Sequence, residues 1–132
     1  MLLTLIAISN AFATVTIDGY TGVCDDCFPA DCGQVVIYTV ATGGRPLADT
    51  CMSNNGYYSF DVDENDTYYI EIDWARNSAY DSSPGGSECL LTEWWKMRDR
   101  VTIIVATSDV ERNLCADEDR SEPDPDECEC YD

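Results

Sequence analysis

Three features of the sequence predict an all-β fold. Runs of β-branched and aromatic residues recur at intervals of about eight to twelve, Gly, Asn, Asp and Pro fall between them, and no stretch repeats its apolar residues at helical period. The expected architecture is a single antiparallel β-sandwich of about seven strands, stapled by disulfides, with an N-terminal apolar strand and an acidic C-terminal tail. A length of 132 residues suits one such domain. Its parts are an apolar segment at 1–13, the sandwich at 14–115 and an acidic, Cys-containing tail at 116–132.

The strands follow in order. Thr14–Ile17 alternates with period two and begins the sandwich, and Gly19–Gly33 then reads as a Cys-rich loop. Val35–Val40 is β-branched and aromatic, so it is a strand. After the turn at 42–46, Leu47–Met52 forms a short strand ended by Asn54-Asn55-Gly56, a hairpin signal. In Tyr57–Val62 the residues Tyr58, Phe60 and Val62 share one face. Asp63–Asp66 turns the chain into a strand whose buried face is Tyr68, Ile70, Ile72 and Trp74. Residues 75–88 are a polar loop, Leu90–Arg100 is a short helix or irregular aromatic segment, and Val101–Ala106 is a buried strand. Val110–Cys115 supplies one more.

Charge and composition exclude several functions. There are 26 acidic residues against 7 basic ones, for a net charge of -19, and there is no His. A chain this acidic repels phosphate backbones and anionic membrane surfaces, so nucleic acid is not an expected partner. Without His, Ser-His-Asp, Cys-His and His-ligated zinc chemistry are all absent. The charge is also uneven: nine acids lie in the last seventeen residues and none in the first seventeen.

Eight cysteines, Cys24, Cys27, Cys32, Cys51, Cys89, Cys115, Cys128 and Cys130, point to structural disulfides and an oxidising, extracellular compartment. Their connectivity is open, since eight allow 105 pairings. The Cys24-x2-Cys27 spacing also suits a metal or redox site. Asp25 and Asp26 between those thiols, and the lack of a second such pair, favour disulfides.

The opening MLLTLIAISNAFA has no charged side chain and is too short for a membrane span. It has two readings. Ending in Ala11-Phe12-Ala13, it suits a cleaved secretory signal. Its alternation also suits a strand, with Leu3, Leu5, Ile6, Ile8 and Phe12 as the contacts, donated into a neighbouring subunit. Either reading places the protein outside the cytoplasm.

Gly44-Arg45-Pro46-Leu47-Ala48-Asp49-Thr50, then Asn55-Gly56-Tyr57-Tyr58-Ser59-Phe60-Asp61-Val62, then Tyr68-Tyr69-Ile70-Glu71-Ile72 together resemble the carboxypeptidase-regulatory-like and Cna-B-like domains. The resemblance spans roughly 14–115 and implies a prealbumin-like sandwich of secreted and surface proteins. It implies a stalk, spacer or binding platform more than a catalyst. A Lys-Asn isopeptide bond, frequent in Cna-B domains, is not expected: the one lysine, Lys96, lies outside the strand pattern, and disulfides take over that mechanical role.

Among candidate chemistries, a carboxylate-pair glycosidase would use Glu93 beside Trp94 and Trp95, but so small a sandwich leaves little material for a deep cleft. Trp94, Trp95 and Tyr80 suggest a sugar platform, although adjacent strand residues point to opposite faces. Asp61, Asp63, Glu64 and Asp66, and in the tail Asp117, Glu118, Asp119, Asp124 and Asp126, are candidates for calcium or for a solvated acidic surface; the tail set Asp117, Asp119, Asp124 and Asp126 is the metal candidate retained. Asn65-Asp66-Thr67 is an N-glycosylation sequon in a turn. The expected function is a non-enzymatic, secreted structural subunit, self-associating into a filament or surface appendage by N-terminal strand insertion. The alternative is a monomeric extracellular glycan- or calcium-binding module with residues 1–13 removed. A third reading is a small inhibitor or toxin-like domain presenting loop 75–88.

Overall fold

A computed structural model describes residues 13–24, 27–77 and 94–119. These form an all-β, two-sheet arrangement. The strands are β1 (Thr14–Val23), β2 (Phe28–Pro29), β3 (Cys32–Tyr38), β4 (Ala48–Cys51), β5 (Tyr57–Asp63), β6 (Asp66–Arg76), β7 (Trp95–Lys96), β8 (Val101–Val105), β9 (Val110–Glu111), β10 (Leu114–Ala116) and β11 (Glu118–Asp119).

In the first sheet β1 is central. It pairs antiparallel with β5 and β2 and parallel with β9 and β10. The second sheet is built on β6, which pairs with β3 on one side and with β7 and β8 on the other; β4 pairs with β3, and β11 with β7. The facing sides interdigitate as Val15, Ile17, Tyr58, Phe60, Val62 and Leu114 against Val35, Ile37, Tyr68, Ile70, Ile72, Ile103 and Val105, all buried.

The six longer expected strands are present, and β9 and β10 are two pieces of the seventh. Three expectations change. The stretch 19–33 is not simply a loop: β1 runs to Val23 and β3 begins at Cys32. The pairing of β1 with β9 and β10 is parallel, because the chain leaves β8 for the other sheet and then runs beside β1 in the same direction. Asn54-Asn55-Gly56 makes a turn but not a hairpin. Gly56 N–H donates to Ser53 C=O at 2.8 Å and Ser53 N–H to Tyr57 C=O at 2.9 Å, yet β4 and β5 then part into different sheets. Gly56 has φ +83°, and a Cβ there would stand 2.7 Å from Ala30 O.

A fourth change concerns Trp74. Gln34 faces Trp74 while the next residue, Val35, faces Ile72, so Asp73 is an extra residue in β6. This bulge reverses the alternation. Ile72 and Ala75 face the main core, whereas Trp74 joins Cys32 and Trp94 in a separate cluster. Trp74 and Trp94 meet edge to face at 4.9 Å, and the Arg76 guanidinium lies 4.4 Å from the Trp94 ring centre. In the described part of 90–100 the chain forms the short strand β7 rather than a helix.

Four tyrosines anchor the sheets through their hydroxyls. Tyr58 donates to Arg112 C=O at 2.7 Å, Tyr68 to Asp63 C=O at 3.0 Å, Tyr57 to Asp18 at 2.7 Å and Tyr38 to Glu71 at 3.3 Å. Burial raises the pKa of Tyr58, Tyr68 and Tyr38 above 10.0, and the bond to Asp18 raises that of Tyr57. Because the native state holds these protons more tightly, their contribution to stability is complete below the unfolded value and is lost as pH rises through and above 10.0. Absorbance titration at alkaline pH is expected to show these four ionising late, with unfolding accompanying the last of them. Ordinary titration of all eight tyrosines would contradict the anchoring.

Candidate functional site

The order of the strands gives the sandwich two unlike ends. At one, β1 starts opposite β5, with Thr14 facing Asp63. Ala13 C=O accepts from Glu64 N–H at 3.2 Å, and Asn65 N–H donates to Ala106 C=O at 2.9 Å. At the other end the chain crosses between sheets: Val23 pairs with Ala116, Cys24 N–H donates to Ala116 C=O at 2.9 Å, and β11 reaches back to β7. The described cysteines all lie toward this second end. Cys27 and Cys115 form a disulfide with Cα atoms 5.4 Å apart, and Cys24, Cys32 and Cys51 are disulfide-bonded too. Among the described residues there is no free cysteine.

Between the ends, one side of the sandwich is open. β8 pairs only with β6, and its other edge has no strand partner among the described residues. Val101-Thr102-Ile103-Ile104-Val105 carries no charge. Ile103 and Val105 are buried while Ile104 is 77 % exposed. Beyond the start of β8 a cleft of about 570 Å³ lies between the chain entering β8 and the β9–β10 segment. Its lining is mostly polar, with Arg98, Asp99, Arg112 and Asp117, and Met97, Val101 and Leu114 supply the apolar part. Glu118 ties the nearby cations, accepting from Arg98 at 2.8 Å and Lys96 at 3.1 Å. Those two bonds hold the Glu118 carboxyl below the usual carboxylate range. Lys96 is therefore within a strand, contrary to expectation, and its described partner is a carboxylate.

The residues singled out in the sequence fall as follows. Leu3, Leu5, Ile6, Ile8, Phe12, Tyr80, Cys89, Glu93, Asp124, Asp126, Cys128 and Cys130 lie outside the described residues. Asn65 occupies an exposed turn at φ +59°, a conformation Asn tolerates well. Asp117 borders the cleft, and Asp119 is in β11. Among the described residues no three acidic or Cys side chains gather as metal ligands. Trp94 is 6 % exposed, and Trp95 packs partly buried against the main core, so the pair offers no shared flat face.

One group of converging side chains was not visible in the sequence. The Arg100 guanidinium lies 3.3 Å from the Tyr38 ring centre, 3.6 Å from Glu71, and donates to Val40 C=O at 2.9 Å and Gly43 C=O at 2.8 Å. It pins the 39–47 turn to the second sheet. Tyr38 and Glu71 fall in expected strands, but their convergence depends on a partner about thirty residues away at each step. Arg100→Ala is expected to cost about 2–3 kcal/mol through lost charged hydrogen bonds and stacking. Urea denaturation checks it, and a loss under 0.5 kcal/mol would contradict the pinning role.

No family model and no curated protein matches the chain. Among solved structures, it is similar to a DUF3823 family protein from Parabacteroides merdae, at 12 % identity and a TM-score of 0.46. The match covers 80 % of this chain and 46 % of the other, so the chain spans less than half the length of that protein. A likeness at this level assigns neither family nor function. The sandwich expected from the carboxypeptidase-regulatory-like resemblance is present as an architecture. No helix among the described residues is long and apolar enough to cross a membrane.

Proposed function

We propose that the chain is a non-enzymatic, extracellular structural subunit that joins copies of itself end to end through its apolar residues 1–13. The carrying observation is the place where β1 begins: Thr14 stands opposite Asp63 at one end of the sandwich, while β10 and β11 pair with Val23 and Trp95 toward the other. A segment donated forward from the first end builds a linear polymer when each subunit repeats the contact. The disulfides support an oxidising location, and the apolar head, free of charge in a chain of -19, is a stretch that two such subunits bring together without repulsion. Its kinship to the Cna-B-like and carboxypeptidase-regulatory-like domains belongs to this reading, as does glycosylation at Asn65.

Electron microscopy of the purified full chain tests it. Filaments are expected; separate particles at every concentration, or a mature protein that begins at Thr14, would remove strand donation. The second reading is a monomeric glycan- or calcium-binding module. It is favoured by a recess of about 300 Å³ beside the half-exposed Tyr20, lined also by Asn55 and Asn113, whose amides suit sugar hydroxyls.

A further inference from the structure

We propose that the free edge of β8 is the seat for residues 1–12 of a second copy, which add to the second sheet as a strand beside Val101–Val105. This rests on the strand-mediated assembly above and names its acceptor. An unpaired edge is ordinarily guarded by Lys, Pro, a bulge or inward charge. β8 has none of these, is regularly paired to β6 along all five residues, and exposes Ile104 more than any other large apolar side chain described. The edge of β4, by contrast, carries Asp49, and that of β5 carries Asp61 and Asp63.

The occupant is fixed by composition and length. Residues 1–12 are uncharged and mostly apolar, whereas the acid-free stretch 32–48 is already built into the second sheet through β3 and the start of β4. Twelve extended residues span about 40 Å, enough to lie along all of β8 and beyond it. At Ala13, C=O still accepts from Glu64 N–H, one step past the Thr14–Asp63 pair, so β1 follows β5 up to the first described residue. The backbone groups of the donated strand then pair with those of β8, and its alternate side chains cover Ile104 on one face and the cleft on the other.

The test uses full chain grown with diazirine-bearing leucine, which places reactive groups at Leu2, Leu3 and Leu5. Light and 15N-labelled chains are mixed, assembled, irradiated and read by mass spectrometry. Cross-links from residues 1–12 to 101–105 that join a light to a heavy chain are expected. Links within one chain only mean that the segment covers its own edge, and overturn the proposal. Polymers whose links fall on β4 or β5 overturn it while leaving assembly intact, and absence of polymer overturns both. In parallel, Ile104→Lys is expected to raise the concentration needed for assembly at least about tenfold, since it sets a charge in the covered seam. The exposed position keeps its thermal unfolding unchanged, and Leu47→Lys, at an exposed apolar residue (54 %) just before β4, serves as the control. An Ile104→Lys chain that assembles like the unaltered one overturns the proposal.

Discussion

Replacing Cys27 and Cys115 together by Ala is expected to destabilise the protein by about 3 kcal/mol, lowering the midpoint of thermal unfolding by about 10 °C. The bond links residues 88 apart in sequence. Loop-closure entropy for that separation alone amounts to about 4–5 kcal/mol, and the other disulfides already shorten the free loop, which brings the figure down. The site is shaped for the bond: Gly22 lies opposite Cys115 in the ladder, and a Cβ on Gly22 would stand 2.5 Å from Cys27 Sγ. The bond therefore holds the end of β1 to β10 where both strands finish. Calorimetry at neutral pH without reductant, so that the other disulfides stay intact, measures the effect. A midpoint within 2 °C of the unaltered chain would show that the sheets alone secure this end.

Gly19→Ala is expected to cost about 3 kcal/mol, although Ala is usually the better residue within an element. Gly19 lies in β1 opposite Tyr58, and a Cβ there would collide with the carbonyl group of Arg112. That carbonyl cannot simply retreat, because it accepts the Tyr58 hydroxyl at 2.7 Å, and Arg112 N–H donates to Asp18 C=O at 2.7 Å. Overpacking contributes about 1–3 kcal/mol and the strained buried hydrogen bond a further share. Urea denaturation gives the stability. Gly43→Ala is the comparison, since nothing lies within 4 Å of a Cβ there and only the left-handed φ of +62° opposes it. Equal losses in the two variants would mean that the Arg112 contact is not what Gly19 protects.

The strands were legible in the sequence wherever a single buried face imposed alternation. Tyr58, Phe60 and Val62, and Tyr68, Ile70 and Ile72, are buried together as period two requires. The same rule misplaced Trp74, since a bulge depends on how β3 and β6 fit together and neither strand alone records it. Asn54-Asn55-Gly56 announced a turn correctly but not which sheets it joins, because local turn chemistry carries no information about where strands go afterward. The concentration of cysteines near one end was likewise hidden: Cys27 and Cys115 are distant in sequence, and only the parallel docking of β10 on β1 brings them together. The free β8 edge was equally invisible, since Val101–Ala106 reads the same whether one neighbour or two flank it.

The parallel pairing of β1 with β9 and β10 has a mechanical consequence. A pull on residue 13 draws β1 out past the first end, while a pull on residue 119 draws the β10–β11 arm toward the other. Two neighbouring strands running the same way are thus tugged in opposite directions along their common axis. Every ladder bond between them is loaded in shear together, and none can be peeled open singly as at the tip of a hairpin. With Cys27–Cys115 bolting the far end of the same pair, stretching the chain meets its stiffest element first.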